Sequence, residues 1–132
     1  MIKFTEKEKK FLTSIEEARF ATSSKSIPHV KPVSFIFQDD SFYIATDYST
    51  ITYENIKKNP RAAITVDIYK IGGHKAVLAQ GDIKIIENGS EFKKIYAKFF
   101  EKFEWVRKDP WGEKEAPFLR LIPKHKTSWG LS

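Results

Sequence analysis

The most restrictive stretch of the chain is HVKPVSFIFQ, residues 29–38. From Val33 to Phe37 it is apolar on both faces of an extended strand, where a sheet with one wet face would alternate. Such a strand needs a core on one side and a second layer on the other, either a helix or a second subunit. Pro32 removes one backbone donor, which puts this part of the strand at an edge or a bulge. Asp39-Asp40 then reads as a hairpin turn, and SFYIAT (41–46) as the returning strand.

The flanking segments supply more of the same. Thr5 and Glu8 have the spacing of a capping box, and Phe11, Leu12 and Ile15 share one stripe, so a short amphipathic helix is expected over 5–17. RFATSS (19–24) reads as a strand and 23–28 as a turn. Residues 50–58 suit a short helix that stops before Asn59-Pro60. Residues 61–70 form a strand with Ala62, Ile64, Val66 and Ile68 on one face, and Gly72-Gly73 turns the chain. A long strand follows over 75–87, with Gly81 marking a bulge or sharp bend. Phe92, Ile95, Tyr96, Phe99, Phe100 and Phe103 recur at helical spacing over 90–104, the pattern of a packed face rather than a cofactor box. Residues 109–112 read as loop, and 117–122 and 125–131 as two final strands interrupted at Pro123. Six or seven strands with about three short helices describe a closed or nearly closed barrel, since closure removes sheet edges.

Composition narrows the function classes. The 132 residues fit one domain, and 14% aromatic content exceeds what a disordered chain carries. There is no cysteine, which excludes a disulfide scaffold, a thiolate metal site and a cysteine nucleophile. His29, His74 and His125 are scattered, without metal-ligand spacing or a Ser-His-Asp arrangement, so no metal site is expected and no catalytic side chain is identified. The N-terminus is charged, and no run approaches the ~18 apolar residues of a membrane span. A cytoplasmic protein is expected. The net charge of +6 favours anionic ligands, but the lysines are interspersed with 17 acidic residues. No recognition helix, zinc finger or RNA-binding signature accompanies it, so nucleic acid is not an expected partner.

Three passages carry a family resemblance. They are ARFATSSKSIPHVKPVSFIF (18–37), YIATDYSTITYENIKKNPRAAITV (43–66) and LIPKHKTSWGL (121–131). In this order they resemble the pyridoxamine 5'-phosphate oxidase-related, FMN-binding split-barrel family over nearly the whole chain. The resemblance implies a mainly β, six- or seven-stranded split β-barrel with short flanking α-helices, spanning 1–132 as one domain. It implies a homodimer with FMN in a groove at the subunit interface, lined by the strands at 29–37 and 41–46. Residues 32–35, Pro32, Val33 and Ser34 among them, would bound the ring slot, and Thr46 matches the family's cofactor-contacting threonine. Where the family has Ser-Arg-Lys or Ser-x-Lys for the phosphate, this chain has Thr50, Ile51 and Thr52. One hydroxyl is kept and both positive charges are lost. Lys31 and Lys75 are the candidate replacements, together with the helix N-terminus at Thr50.

If a flavin binds, it carries the redox chemistry, and the expected function is a flavin-dependent oxidoreductase for a small molecule. The alternative is a non-catalytic dimer that binds a flavin, a deazaflavin or another planar anion. The fold also hosts deazaflavin and heme relatives, so resemblance does not fix a reaction.

Overall fold

A computed structural model describes residues 2–131. Six antiparallel strands close into a barrel, joined by four short helices. In chain order these are α1 (Glu6–Ser14), β1 (Glu17–Ser24), β2 (Ile27–Gln38), β3 (Ser41–Ala45), α2 (Ile51–Lys58), β4 (Arg61–Ile68), β5 (Lys75–Ile86), α3 (Gly89–Lys102), α4 (Glu104–Lys108) and β6 (Phe118–Trp129). Around the barrel the order is β1-β2-β3-β6-β5-β4, with β4 pairing back onto β1.

The two-faced strand has the two layers it requires. Val33, Phe35 and Phe37 point into the barrel, where Phe42 meets Phe37 edge-on at 5.1 Å between ring centres. Ile36 points outward onto α3 and packs with Tyr43, Ile95, Phe99 and Phe118. The outer layer is therefore a helix of the same chain, so this apolar run does not require a second subunit to cover it. Lys102 ties the layers together. Its ammonium group donates to the carbonyls of Ile15 (2.7 Å) and Phe35 (3.3 Å) above the Phe35 ring, and burial lowers its pKa.

Each barrel mouth is plugged. At one end the expected capping box forms: Thr5 Oγ1 accepts from Glu8 N, and Glu8 Oε1 accepts from Thr5 N. α1 is shorter than the stripe suggested, ending at Ser14, and sends Phe11 and Leu12 into the barrel core. At the other end α2 inserts Ile56 into the same core, and Asn55 Nδ2 donates to Thr22 Oγ1 at 3.1 Å.

One feature of the sheet and one of the helices depart from the sequence reading. The strands expected on either side of Pro123 are one strand, β6, which tolerates the proline because it lies at a bulge. Gln80 faces His125 while Gly81 faces Pro123, so Lys124 is the extra residue. The aromatic helix breaks at Phe103, whose extended backbone separates α3 from an additional helix, α4. Phe100, expected within the packed face, is exposed. Among the described residues no helix is long and apolar enough to cross a membrane.

Candidate functional site

The barrel is split where β2 parts from β3. Residues 35–38 of β2 pair with β3, whereas residues 27–34 pair only with β1. Pro32 lies in this one-sided section, the edge position that its missing N–H permits. Lys31 and Val33 share the inward parity of Phe20 and Ala18, and Val33 is buried in the core. Pro32 and Ser34 alternate outward. Ser34 Oγ accepts from the indole Nε1 of Trp105, at 3.3 Å.

Thr46 follows β3, with its amide donating to Pro117 O at 3.4 Å. Its hydroxyl lies 3.0 Å from that of Thr50. Thr50 is the N-cap of α2: Oγ1 accepts from Tyr53 N at 3.1 Å and donates to Asp47 O at 2.8 Å. That leaves the N–H groups of Ile51 and Thr52, which have no intrahelical acceptor, at the start of the helix. Tyr48 pins the loop between the two threonines. Its hydroxyl donates to Glu87 at 2.7 Å, and burial together with that carboxylate pushes its pKa up to about 12.

Beside Thr46 lies an open cleft of about 340 Å³. Its walls are Ala45, Thr46 and Asp47 on one side, and Trp105, Asp109, Pro110, Trp111, Glu115 and Ala116 on the other. The Trp105 and Trp111 rings are parallel within 8°, with centres 5.8 Å apart. Tyr96 positions Trp111, accepting from its amide at 3.2 Å and meeting its ring edge-on.

The structure thus gathers Ser34, Thr46 and Thr50 around one region and leaves others apart. Thr52 is buried at the barrel mouth with its hydroxyl unpartnered, so it does not present that hydroxyl to a surface ligand. Lys75 begins β5 at the end of the barrel opposite Ile86, which reaches Thr46 through the pairs Ile86–Phe118 and Phe118–Ala45. Eleven residues of strand, about 36 Å, separate those ends, so Lys75 is not at the Thr46–Thr50 site of its own chain. Trp105 and Trp111 were not singled out from sequence. Two tryptophans within the polar segment 104–115 were the available signal.

Residues 4–129 match the family model described as pyridoxamine 5'-phosphate oxidase. The chain belongs to that family. Three solved structures show the family fold. One is a conserved hypothetical protein of Mycobacterium tuberculosis, 16% identical, covering 98% of this chain and 86% of the other, with a TM-score of 0.81. A heme storage protein of Vibrio cholerae is 15% identical, covering 98% and 95%, at 0.79. An FAD-binding protein of Mesorhizobium loti is 20% identical, covering 95% and 94%, at 0.74. No curated protein matches the chain. The sequence expectation of family and barrel is borne out.

The residues present can be compared with what FMN requires. The unpaired edge of β2 offers backbone donors and acceptors for a ring edge, and Thr46 Oγ1 keeps acceptor capacity for a ribityl hydroxyl, whereas Thr50 Oγ1 is fully used by Tyr53 N, Asp47 O and Thr46. For a phosphate, the chain offers the free N–H groups at the start of α2. The adjoining cleft has three carboxylates and no Lys or Arg among its lining residues.

Proposed function

We propose that the chain is a flavin-binding protein, FMN being the ligand, and that it works as a homodimer. The observation that carries this reading is the one-sided section of β2, Ile27–Ser34, beside the Thr46–Thr50 hydroxyl pair in a member of this family. The flavin, when bound, supplies the redox chemistry. The chain's contribution is to hold the ring along the β2 edge at Pro32–Ser34, to hold the ribityl chain at Thr46, which Thr50 positions, and to offer the first N–H groups of α2 to the phosphate.

The homodimer reading is supported by exposed apolar groups at both ends of the barrel. Ile27 (68% exposed), Val30 and Ile51 flank the α2 end, while Tyr69, Ile71 (96%) and Trp129 flank the other. An antiparallel pairing of two copies covers both sets at once. It also carries the partner's Lys75 toward the end of the barrel that holds the cleft beside Thr46, whose lining has no Lys or Arg.

A small-molecule oxidoreductase is the first functional reading. Non-catalytic ligand storage is the second, favoured by the missing phosphate cations and by a heme storage protein among the fold relatives. The visible spectrum of the purified protein, before and after adding FMN, tests the shared claim. A flavin band that co-elutes with protein on gel filtration is expected, and free FMN eluting alone overturns it. Mixing the loaded protein with a reduced nicotinamide then separates the two readings. Bleaching of the flavin and its reoxidation in air favour the enzyme, and an unchanged spectrum favours storage.

A further inference from the structure

We infer that the Trp105–Trp111 cleft is a binding site for an organic cation with a flat apolar body, such as an aromatic ammonium compound. The cleft is a cavity of about 340 Å³ with two parallel indoles in one wall, and Trp105 is 43% exposed although it is one of the largest side chains in the protein. An indole face is the best natural surface for a cation. Asp47 and Asp109 reach the same cavity from opposite walls, and neither carboxylate has an ion-pair partner among the described residues. Glu115 adds a third carboxylate and accepts from Gly112 N at 2.7 Å.

This clustering runs against the charge of the chain, which carries 23 Lys and Arg against 17 Asp and Glu. The neighbouring cations on α4 are committed elsewhere. Arg107 donates to the carbonyls of Phe100 and Glu101, and Lys108 pairs with Glu104 at 3.3 Å. The cleft is therefore lined by two indoles and three carboxylates, with no Lys or Arg among its lining residues. That combination favours an organic cation over a phosphate or carboxylate. The cleft shares Thr46 with the proposed flavin site, and Trp105 donates to Ser34 of the β2 edge, so the two readings are tested apart by titrating without flavin.

The test is an NMR titration of the full chain, following the three indole N–H resonances, with benzyltrimethylammonium as the probe. Benzyl alcohol and benzoate are the neutral and anionic comparators. Trp105 and Trp111 are expected to shift in a saturable way with the cation, while Trp129, at the other end of the barrel, stays fixed. Affinity for the cation should exceed that for benzyl alcohol by at least about fivefold. The isosteric pair Asp47→Asn with Asp109→Asn should remove that preference while the rest of the spectrum stays dispersed, and Trp105→Ala should abolish the saturable shift at Trp111. Equal responses to all three probes, no response to the cation, or an unchanged preference in the double variant would overturn the inference. The titration needs no flavin, so a protein that never retains FMN leaves its outcome intact.

Discussion

Glu8 is a carboxylate taken almost wholly out of water, at 5% exposure, and it is retained because every oxygen is used. Oε1 accepts from Thr5 N at 2.8 Å and from Lys126, and Oε2 accepts from Ser128 Oγ at 2.7 Å. Burial alone would raise its pKa from the ordinary 4.5, but these hydrogen bonds and the Lys126 charge outweigh it, so the net shift is downward. A carboxylate with a lowered folded-state pKa stabilises fully above its unfolded value and loses that contribution as pH falls through the folded one. Glu8→Gln should therefore cost about 2–3 kcal/mol at pH 7, leaving Lys126 without its partner. Urea unfolding at pH 7 and again near pH 3 checks this: the gap between variant and wild type should shrink in acid, and a constant gap would show that the charge is not the cause. Thr50 is the second side chain with a separable role. Thr50→Ala removes the N-cap of α2 and should cost about 1 kcal/mol, whereas Thr50→Ser should be nearly neutral. If Thr50 positions Thr46 for a ribityl hydroxyl, only the alanine variant should lose FMN affinity beyond that, read by fluorescence quenching of the flavin.

The elements were legible in the sequence where one force acted alone. The capping box at Thr5–Glu8 and the stop at Asn59-Pro60 are local chemistry, and both appear in the structure. Pro123 misled because its effect depends on a partner strand. Opposite Gly81, in a bulge, it breaks nothing. That close approach is why Gly81 has no side chain, since a Cβ there would sit 2.0 Å from Ile122 O. Gly81→Ala should destabilise by at least about 3 kcal/mol or prevent folding. Gly73→Ala, whose nearest neighbour would be a Lys70 carbon at 3.8 Å, should change stability by less than about 0.5 kcal/mol, so the pair distinguishes the bulge from a generic glycine effect. The β1–β2 hairpin offers the opposite change. Its turn is only Lys25-Ser26, both at positive φ (52° and 62°), where the sequence reading had allowed a longer loop over 23–28. Asn-Gly is the pair such a turn prefers. Replacing Lys25-Ser26 with it should add about 1 kcal/mol and raise the melting temperature by about 4 °C, measured by circular dichroism. The candidate site was less legible than the barrel, because Ser34, Thr46 and Trp105 meet only through the gap between β2 and β3 and the unforeseen α4.

At the scale of the whole molecule, the distribution of exposed apolar groups is the strongest argument for self-association. Isolated exposed residues are ordinary, but Tyr69 and Ile71 project together from the β4–β5 connection at 80% and 96% exposure, with Trp129 nearby through His74. Ile27, Val30 and Ile51 occupy the opposite end. A single barrel cannot bring these ends together, whereas two antiparallel copies can, through one self-complementary contact repeated twice. The reading predicts a particle of twice 15.3 kDa by light scattering coupled to gel filtration. Tyr69→Asp with Ile71→Asp should return it to 15.3 kDa without unfolding, because neither side chain belongs to a core cluster. If the dimer also completes the phosphate site with the partner's Lys75, the double variant should lose FMN as it loses its partner. Lys75→Ala should then weaken FMN by about tenfold, the scale of one lost charge-assisted hydrogen bond, while the protein stays dimeric. Monomers that hold FMN at full affinity would separate flavin binding from assembly, and would return the phosphate to the helix N-terminus of a single chain.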